Sequence, residues 1–263
     1  MSLLNGQLTL RLLRVWRRDW LVMRKSWHIG FLTPLLEPIL YVTSLGFGFR
    51  FLIPEVQYHG QSLTYVVFMA PAIIATNIMY TSFFETTFSS FVRMYYQKTY
   101  DAIMATPLSV DEIIAGEIMW GATKSLMAAA IMTAVLSLFG LVRYPFGLGL
   151  LPLAFLGGLL FGAIGMIFTG IVKGIDTFNL PIFLFITPMY LFSGTFFPLE
   201  TLPHWAQIVS WFLPLSHLVT LSRDLCLGTI TWGTVLVSGS YLVVTTAILV
   251  PIALRVMRKR LVK

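Results

Sequence analysis

The stretch Phe178–Arg223, FNLPIFLFITPMYLFSGTFFPLETLPHWAQIVSWFLPLSHLVTLSR, decides the fold. Its first part, Phe178 to Phe197, is apolar for about 20 residues, the length of a helix that crosses a bilayer. Pro198, Glu200 and Pro203 then stop it. Two shorter apolar pieces follow, Trp205 to Leu213 and Leu215 to Leu221, split by Pro214. Each is about half the length a span needs. Backbone in hydrocarbon must satisfy its own polar groups, so such pieces lie at the interface or dip in against protein. A span that ends in a broken, half-inserted hairpin points to a pathway across a membrane. A loop resting on the membrane surface is the plainer alternative.

Composition agrees with a membrane protein. The chain has 263 residues, 57% of them hydrophobic and 11% charged, with mean hydropathy +0.83. A soluble domain of this length does not carry so large an apolar share. The length suits six helices of ~20–25 residues with their connections. The expected fold is therefore an all-α integral membrane protein of six spans, with an N-terminal amphipathic interface helix (residues 1–28) ahead of a six-span domain (residues 29–263). The single cysteine, Cys226, excludes an intrachain disulfide. A net charge of +7 raises nucleic acid as a partner, but the basic residues cluster beside apolar runs, which fits orientation in a membrane instead. The N-terminus lacks the short charged stub and apolar core of a cleavable signal.

In chain order, Arg11, Arg14, Arg18 and Lys25 recur at helical spacings, with Leu10, Leu13, Trp16, Trp20, Met23 and Trp27 mainly on other faces. This predicts a helix lying on the membrane, basic side to the headgroups and Trp rings at the interface. A first span over about Gly30–Phe51 contains Pro34, Glu37 and Pro38 and is expected to kink. A polar outer loop follows at Arg50, Pro54, Glu55 and His59. The second span is expected over Leu63–Val92 with Glu85 buried in it, followed by a polar-aromatic inner connection. Ser109 and Glu112 form a capping box, so the third helix starts at Val110 and runs to about Gly140 with Glu117 and Lys124 inside it. The fourth span, Leu148–Val172, holds a Gly158/Gly162 pair suited to close packing. The sixth, about Thr231–Leu254, precedes a basic tail from Arg255 to Lys263. With both termini inside, fourteen of the eighteen Lys and Arg fall on inner segments and three (Arg50, Arg143, Arg223) on outer ones, with Lys124 inside a span. The positive-inside rule selects that topology.

Chemistry of other kinds finds little purchase. Gly116 to Ser125 is like a phosphate loop in outline, yet Thr123 stands where Gly must precede Lys124, and the stretch lies inside an apolar helix. Ser193-Gly194 invites comparison with intramembrane serine proteases, which need Gly two residues before the Ser; Leu191 is there. The four histidines make no i, i+4 metal pair. His217 is read as satisfying backbone in the hairpin. A membrane-embedded hydrolase remains an alternative of another class, without a nucleophile and base to carry it. The intramembrane charges Glu37, Glu85, Glu117 and Lys124 are costly unless paired. Counting ~1.5 Å per residue from Arg93 and from Glu117 puts Glu85 at ~12 Å and Lys124 at ~10.5 Å depth. That predicts a Glu85–Lys124 ion pair, with Glu37 as the rival partner for Lys124.

The residues Phe192-Ser193-Gly194-Thr195-Phe196-Phe197-Pro198, then Leu202-Pro203, then Leu213-Pro214-Leu215-Ser216-His217, resemble the signature of ABC type-2 exporter permeases. Local stretches resemble the nodulation-factor (lipo-oligosaccharide) exporter branch: Val15-Trp16-Arg17-Arg18, Phe84-Glu85-Thr86 with Phe91-Val92-Arg93-Met94, Gly116-Glu117-Ile118-Met119-Trp120 with Ala122-Thr123-Lys124, and Arg258-Lys259-Arg260-Leu261. The resemblance implies a permease subunit of the bacterial cytoplasmic (inner) membrane that exports an amphipathic glycolipid, lipo-oligosaccharide or polysaccharide, with hydrophobic drugs as the alternative cargo. It implies a second copy of the chain or a similar permease, and a separate ABC ATP-binding subunit. No cofactor is expected in this chain, with ATP and Mg on that partner. A docking loop over residues 93–109 would seat the ATPase through Tyr95, Tyr96, Lys98, Tyr100, Asp101, Met104, Pro107 and Leu108. A path between subunits would be lined by Tyr41, Phe47, Phe185, Tyr190, Phe192, Phe196 and Phe197. A re-entrant hairpin over residues 198–228 would carry Pro198, Pro203, Pro214, His217 and Arg223, with Arg223 and Asp224 expected at the outer interface.

Overall fold

The computed structural model describes residues 9–25, 27–48 and 55–262. Helix α1, Leu12–Lys25, is amphipathic as its basic spacing requires. It lies across the third long helix, with Val15 buried over Gly116, where a Cβ would come within 2.8 Å of the Val15 Cβ. Helix α2, Trp27–Gly48, carries Pro34 and Pro38 in its interior. A small antiparallel hairpin not foreseen from the sequence, β1 (Val56–Tyr58) and β2 (Gln61–Leu63), pairs Val56 with Leu63 and Tyr58 with Gln61.

Helix α3 runs unbroken over Tyr65–Tyr96, 32 residues, and so passes the expected end at Val92. It contains two wide turns of π type, Glu85–Ser89 and Val92–Tyr96. A short helix α4, Thr99–Met104, follows after Lys98, which takes a left-handed backbone at φ +52°. Helix α5, Val110–Leu138, begins at the expected capping box: the Glu112 N–H donates to Ser109 Oγ at 3.2 Å and the Ser109 N–H to Glu112 Oε2 at 2.8 Å. Helix α6, Phe146–Ile171, packs between α3 and α5. The glycines at 158 and 162 serve this intramolecular contact. A Cβ on Gly158 would sit 2.6 Å from the Ala122 Cα, and Ser82 Oγ donates to the Gly158 carbonyl. Small residues let backbones approach where no hydrophobic driving force between helices exists.

Helix α7, Ile175–Phe192, ends five residues before the apolar run does. Ser193 to Phe197 is irregular, with Gly194 at φ +71°. Two short helices then form, α8 (His204–Phe212) and α9 (Pro214–Leu227), with Pro214 opening the second as expected of a residue lacking an N–H. Helix α10, Trp232–Leu261, absorbs most of the basic tail. Its end is packed: Arg258 is ion-paired with Asp111 on α5, and Arg260 donates to the Thr169 and Val172 carbonyls, closing the C-terminus of α6. Among the described residues, five helices (α3, α5, α6, α7 and α10) are long and apolar enough to cross a membrane.

Candidate functional site

Burial sorts the charged residues where α3 meets α5 into one cluster. Glu85 is at the first π turn of α3 and Glu117 is two turns into α5; both are buried. Lys124 Nζ lies 2.8 Å from Glu85 Oε2. Glu37, the rival, is elsewhere: its Oε2 accepts from Asn77 Nδ2 at 2.6 Å. The sequence reading missed the central member. Arg93 is not in a loop; it is inside α3, donating 2.8 Å to Glu85 Oε1 and also to Glu117 Oε2. Ser90 Oγ completes the set with a 2.7 Å bond to Glu117. In a regular helix Glu85 and Arg93 are ~12 Å apart along the axis. The π turns between them take in extra residues per turn and re-aim the two side chains, and no residue pattern in the sequence announces such turns.

Asp19 on α1 adds a further buried carboxylate, paired with Arg18 at 3.0 Å. Burial first, and then the Glu117 carboxylate, push Asp19 up to about 7 from its usual 3.8, against the pull of Arg93 and Arg18. A carboxyl raised on folding takes up its proton more readily in the native state. The stability this contributes is full below the unfolded value and is lost as pH rises through about 7. Helix α1 is therefore expected to sit more firmly at pH 6 than at pH 8, and Asp19→Asn to remove the difference. Melting followed by Trp16 and Trp20 fluorescence at the two pH values checks this; equal pH dependence in wild type and variant refutes it.

The connection from α3 to α5 is clamped to this cluster from one side and open on the other. Tyr95, Tyr96, Lys98, Asp101 and Pro107 are exposed, and Met104 and Leu108 are half-buried. Tyr100 departs from the expectation of a docking surface: it is fully buried beneath the loop. Its hydroxyl lies in the field of Glu117 and Arg93, and burial raises its pKa well above the ordinary tyrosine value. Tyr95 and Tyr96 end α3, so the loop proper is shorter than residues 93–109. Arg11 donates to the Pro107 carbonyl at 3.0 Å, and Thr9 to Glu112, tying α1 to the loop and to the start of α5. Five buried atoms of this region, Arg18 Nη1, Asp19 Oδ2, Arg93 Nε, Glu117 Oε1 and the Tyr100 hydroxyl, have no hydrogen-bond partner among the described residues. Such atoms cost about 1–3 kcal/mol each.

The path residues fall into two groups. Tyr190 meets Tyr80 at 5.9 Å and Phe196 at 5.0 Å between ring centroids. Tyr41 and Glu37 lie within electrostatic reach of it. Glu37 is bonded to Asn77, and the Thr81 hydroxyl donates to Asn77 Oδ1 at 3.2 Å. Phe185 lies apart, against Phe168 of α6. Phe192 lies against Trp205 of α8, and Phe197 is exposed. Phe47 falls outside the described side chains. Asn77 was not anticipated; a lone amide in an apolar span was its only signal.

On the other side of the molecule, Arg223 is 3% exposed and packed within the protein. Its Nε donates to the Phe68 carbonyl at 3.1 Å and a terminal nitrogen to the Gly194 carbonyl at 2.9 Å. The guanidinium lies 3.8 Å from the Phe68 ring centre, and the Tyr58 hydroxyl donates to Asp224, which is also buried. Ser222, the residue before Arg223, is fully buried as well. Arg223 thus pins the irregular segment after α7 onto α3 and the β hairpin. His217 joins the Trp211 carbonyl at 2.8 Å and Ser238 Oγ at 3.1 Å, with Tyr241 stacked on it. Pro198 is buried, and Pro203 and Pro214 immediately precede and open α8 and α9.

A helical membrane protein with a clamped connection between α3 and α5 and a short broken helix pair is the class defined by this geometry. The ABC-2 type transporter family matches residues 11–227, and the chain belongs to it. Among its relatives, Nodulation protein J of Sinorhizobium fredii is 35% identical over 209 residues, covering 80% of this chain and 78% of the relative. Nodulation protein J of Rhizobium meliloti is 34% identical, covering 81% and 80%. A probable multidrug ABC transporter permease of Escherichia coli is 25% identical over 65% of this chain and 46% of its own length. The chain is a multi-pass membrane permease of the exporter type, and its family implies an ABC ATP-binding partner subunit.

Proposed function

We propose that this chain is the permease subunit of an ATP-driven exporter, working as a pair of such subunits in the bacterial inner membrane with both termini in the cytoplasm. Six spans cross the bilayer, α2 joining the five longest apolar helices, while α1 lies on the inner surface and α8 with α9 forms a hairpin dipping in from outside. The observation that carries the reading is the Glu85–Arg93–Glu117–Lys124 cluster. It locks together the two helices that flank the inner connection, so a push on that connection moves α3 and α5 as one body. The ATP and its Mg belong to the partner subunit. Only 22% and 17% of the residues in the most apolar stretches of α7 and α10 are buried, which leaves faces for lipid and for a second permease.

The cargo proposed is an amphipathic glycolipid or lipo-oligosaccharide. Aromatic faces take up apolar and sugar surfaces alike, and the Glu37–Asn77 bond supplies hydrogen-bonding groups among Tyr41, Tyr80 and Tyr190. The names of the Nodulation protein J relatives favour it too. A hydrophobic drug is the second reading, favoured by the Escherichia coli relative. Copurification of an ABC ATPase with the tagged chain, followed by transport in proteoliposomes of a fluorescent lipo-oligosaccharide against a cationic dye, tests both. No associated ATPase would sink the exporter reading, and transport of the dye alone would favour the second cargo.

Docking is proposed on the exposed groups Tyr95, Tyr96, Lys98 and Asp101 with Met104 and Leu108. Tyr95→Asp and Met104→Asp are expected to lower cargo-stimulated ATP hydrolysis tenfold or more while leaving the amount of inserted permease unchanged. Tyr100→Asp is expected to lower the amount of folded permease instead, because it buries a carboxylate beside Glu117. Unaltered ATP hydrolysis in the first two variants would falsify this placement.

A further inference from the structure

The end of α6, the end of α10 and the α4 segment border an open cavity of about 680 Å³. Four cations line it, Lys98, Lys173, Lys259 and Arg260, against one acid, Asp101. None of the four makes an ion pair among the described residues. Arg260 is fixed in place by the Thr169 and Val172 carbonyls and by the Phe91 ring, 5.4 Å from its guanidinium. A guanidinium has five donors, so part of its capacity stays open to an anion. Lys98 is held over the Tyr95 ring at 5.4 Å.

We propose that this cavity binds the phosphate headgroup of an anionic phospholipid of the inner leaflet. The site rests on the topology proposed above, which puts the ends of α6 and α10 at the inner surface. Basic pockets between helices at that surface suit such headgroups. The walls favour a lipid over an acidic side chain of a partner protein. Met94, Ile171, Val256 and Leu261 give the cavity an apolar lining beside its cations, and Ile171, at the end of its span, is 62% exposed. An acyl chain has a surface to follow from the headgroup into the membrane; a carboxylate side chain would use only the charged rim. The cations come from three separate elements, so a bound headgroup ties α4 to the ends of α6 and α10. The lipid thereby holds the proposed docking segment at a set distance from the membrane.

The test uses the full chain in neutral detergent and reads lipid retention, which does not depend on transport or on an ATPase. Dioleoyl phosphatidylglycerol, with dioleoyl phosphatidylcholine as reference, is titrated and retained lipid counted by native mass spectrometry. The expected result is selective retention of phosphatidylglycerol, weakened about tenfold or more when Lys98→Gln, Lys173→Gln and Lys259→Gln are combined. Arg17→Gln, Arg24→Gln and Arg143→Gln together, three exposed cations outside this cavity and outside the basic face of α1, should retain the lipid as wild type does. Equal loss in both triple variants, or no loss in the first, would overturn the site. Displacement of the lipid by millimolar inorganic phosphate would overturn the lipid as its occupant and assign a soluble anion. Acidic peptide bound in place of lipid by the wild type would reassign the cavity to the partner protein.

Discussion

Arg93→Met is expected to remove the folded permease almost entirely. The guanidinium is shared by Glu85 and Glu117, whose side chains are 5% and 0% exposed. Deleting it leaves Glu117 without a cationic partner and Glu85 with Lys124 alone. Breaking a buried pair by removing one member costs about 3–5 kcal/mol, because the remaining charge stays buried. That is a large part of the roughly 5–15 kcal/mol by which a typical protein is stable. Lys124→Met should cost much less. The Lys124 side chain is 32% exposed, and Glu85 keeps Arg93 when it is gone. The depth argument from sequence named the Glu85–Lys124 contact and left out Arg93, which shares the same carboxylate. Arg93→Met with Glu117→Gln should recover much of the folded protein, since Glu85 still has Lys124. Size-exclusion profiles and melting in detergent measure all three. A worse outcome for Lys124→Met than for Arg93→Met, or no recovery in the double variant, would refute the shared-arginine arrangement.

The second large effect is expected at Gly158. A methyl there would lie 2.6 Å from the Ala122 Cα and 3.2 Å from the Ala122 carbonyl oxygen. Backbone cannot step aside as a flexible side chain can, so α5 and α6 must separate. Gly158→Ala is expected to cost about 1–3 kcal/mol by overpacking, and Gly158→Leu to prevent assembly of α3, α5 and α6. Gly239→Ala is the comparison. It is also helical, yet its methyl would meet nothing nearer than 4.0 Å, and the better helix propensity of Ala favours it by up to about 1 kcal/mol. Thermal melting should therefore move in opposite directions for the two alanine variants. Similar shifts would mean that the close approach of α5 and α6 is not needed.

The placement of α5 was legible because its start is written locally. Ser109 and Glu112 need only each other, three residues apart, to fix the first turn. Pro214 opening α9, and the use of Gly158 in a tight helix contact, follow from equally local chemistry. Element ends were less legible. Arg93 to Tyr96 read as a loop because they are polar and aromatic; ion pairs with Glu85 and with Glu117 on α5 offset the desolvation of Arg93 within the helix. Apolarity through Phe197 suggested that α7 continues that far, but Ser193 to Phe197 turns away, held by Arg223 through the Gly194 carbonyl.

By itself the sequence determined that the chain is a helical membrane protein, since its apolar runs are too long and too many for a soluble core. It also determined the nearly equal depth of Glu85 and Lys124, because rise per residue converts position into distance. The tertiary structure alone decided which charges meet. Arg93 reaches both Glu85 and Glu117 through two π turns, and Asp19 joins them by the seating of Val15 over Gly116. It alone decided that Tyr100 faces inward while Tyr95 and Tyr96 face out. The reason is physical: periodicity along one helix says which residues share a face, whereas the desolvation of a charge or a ring depends on what the neighbouring helices bring to it.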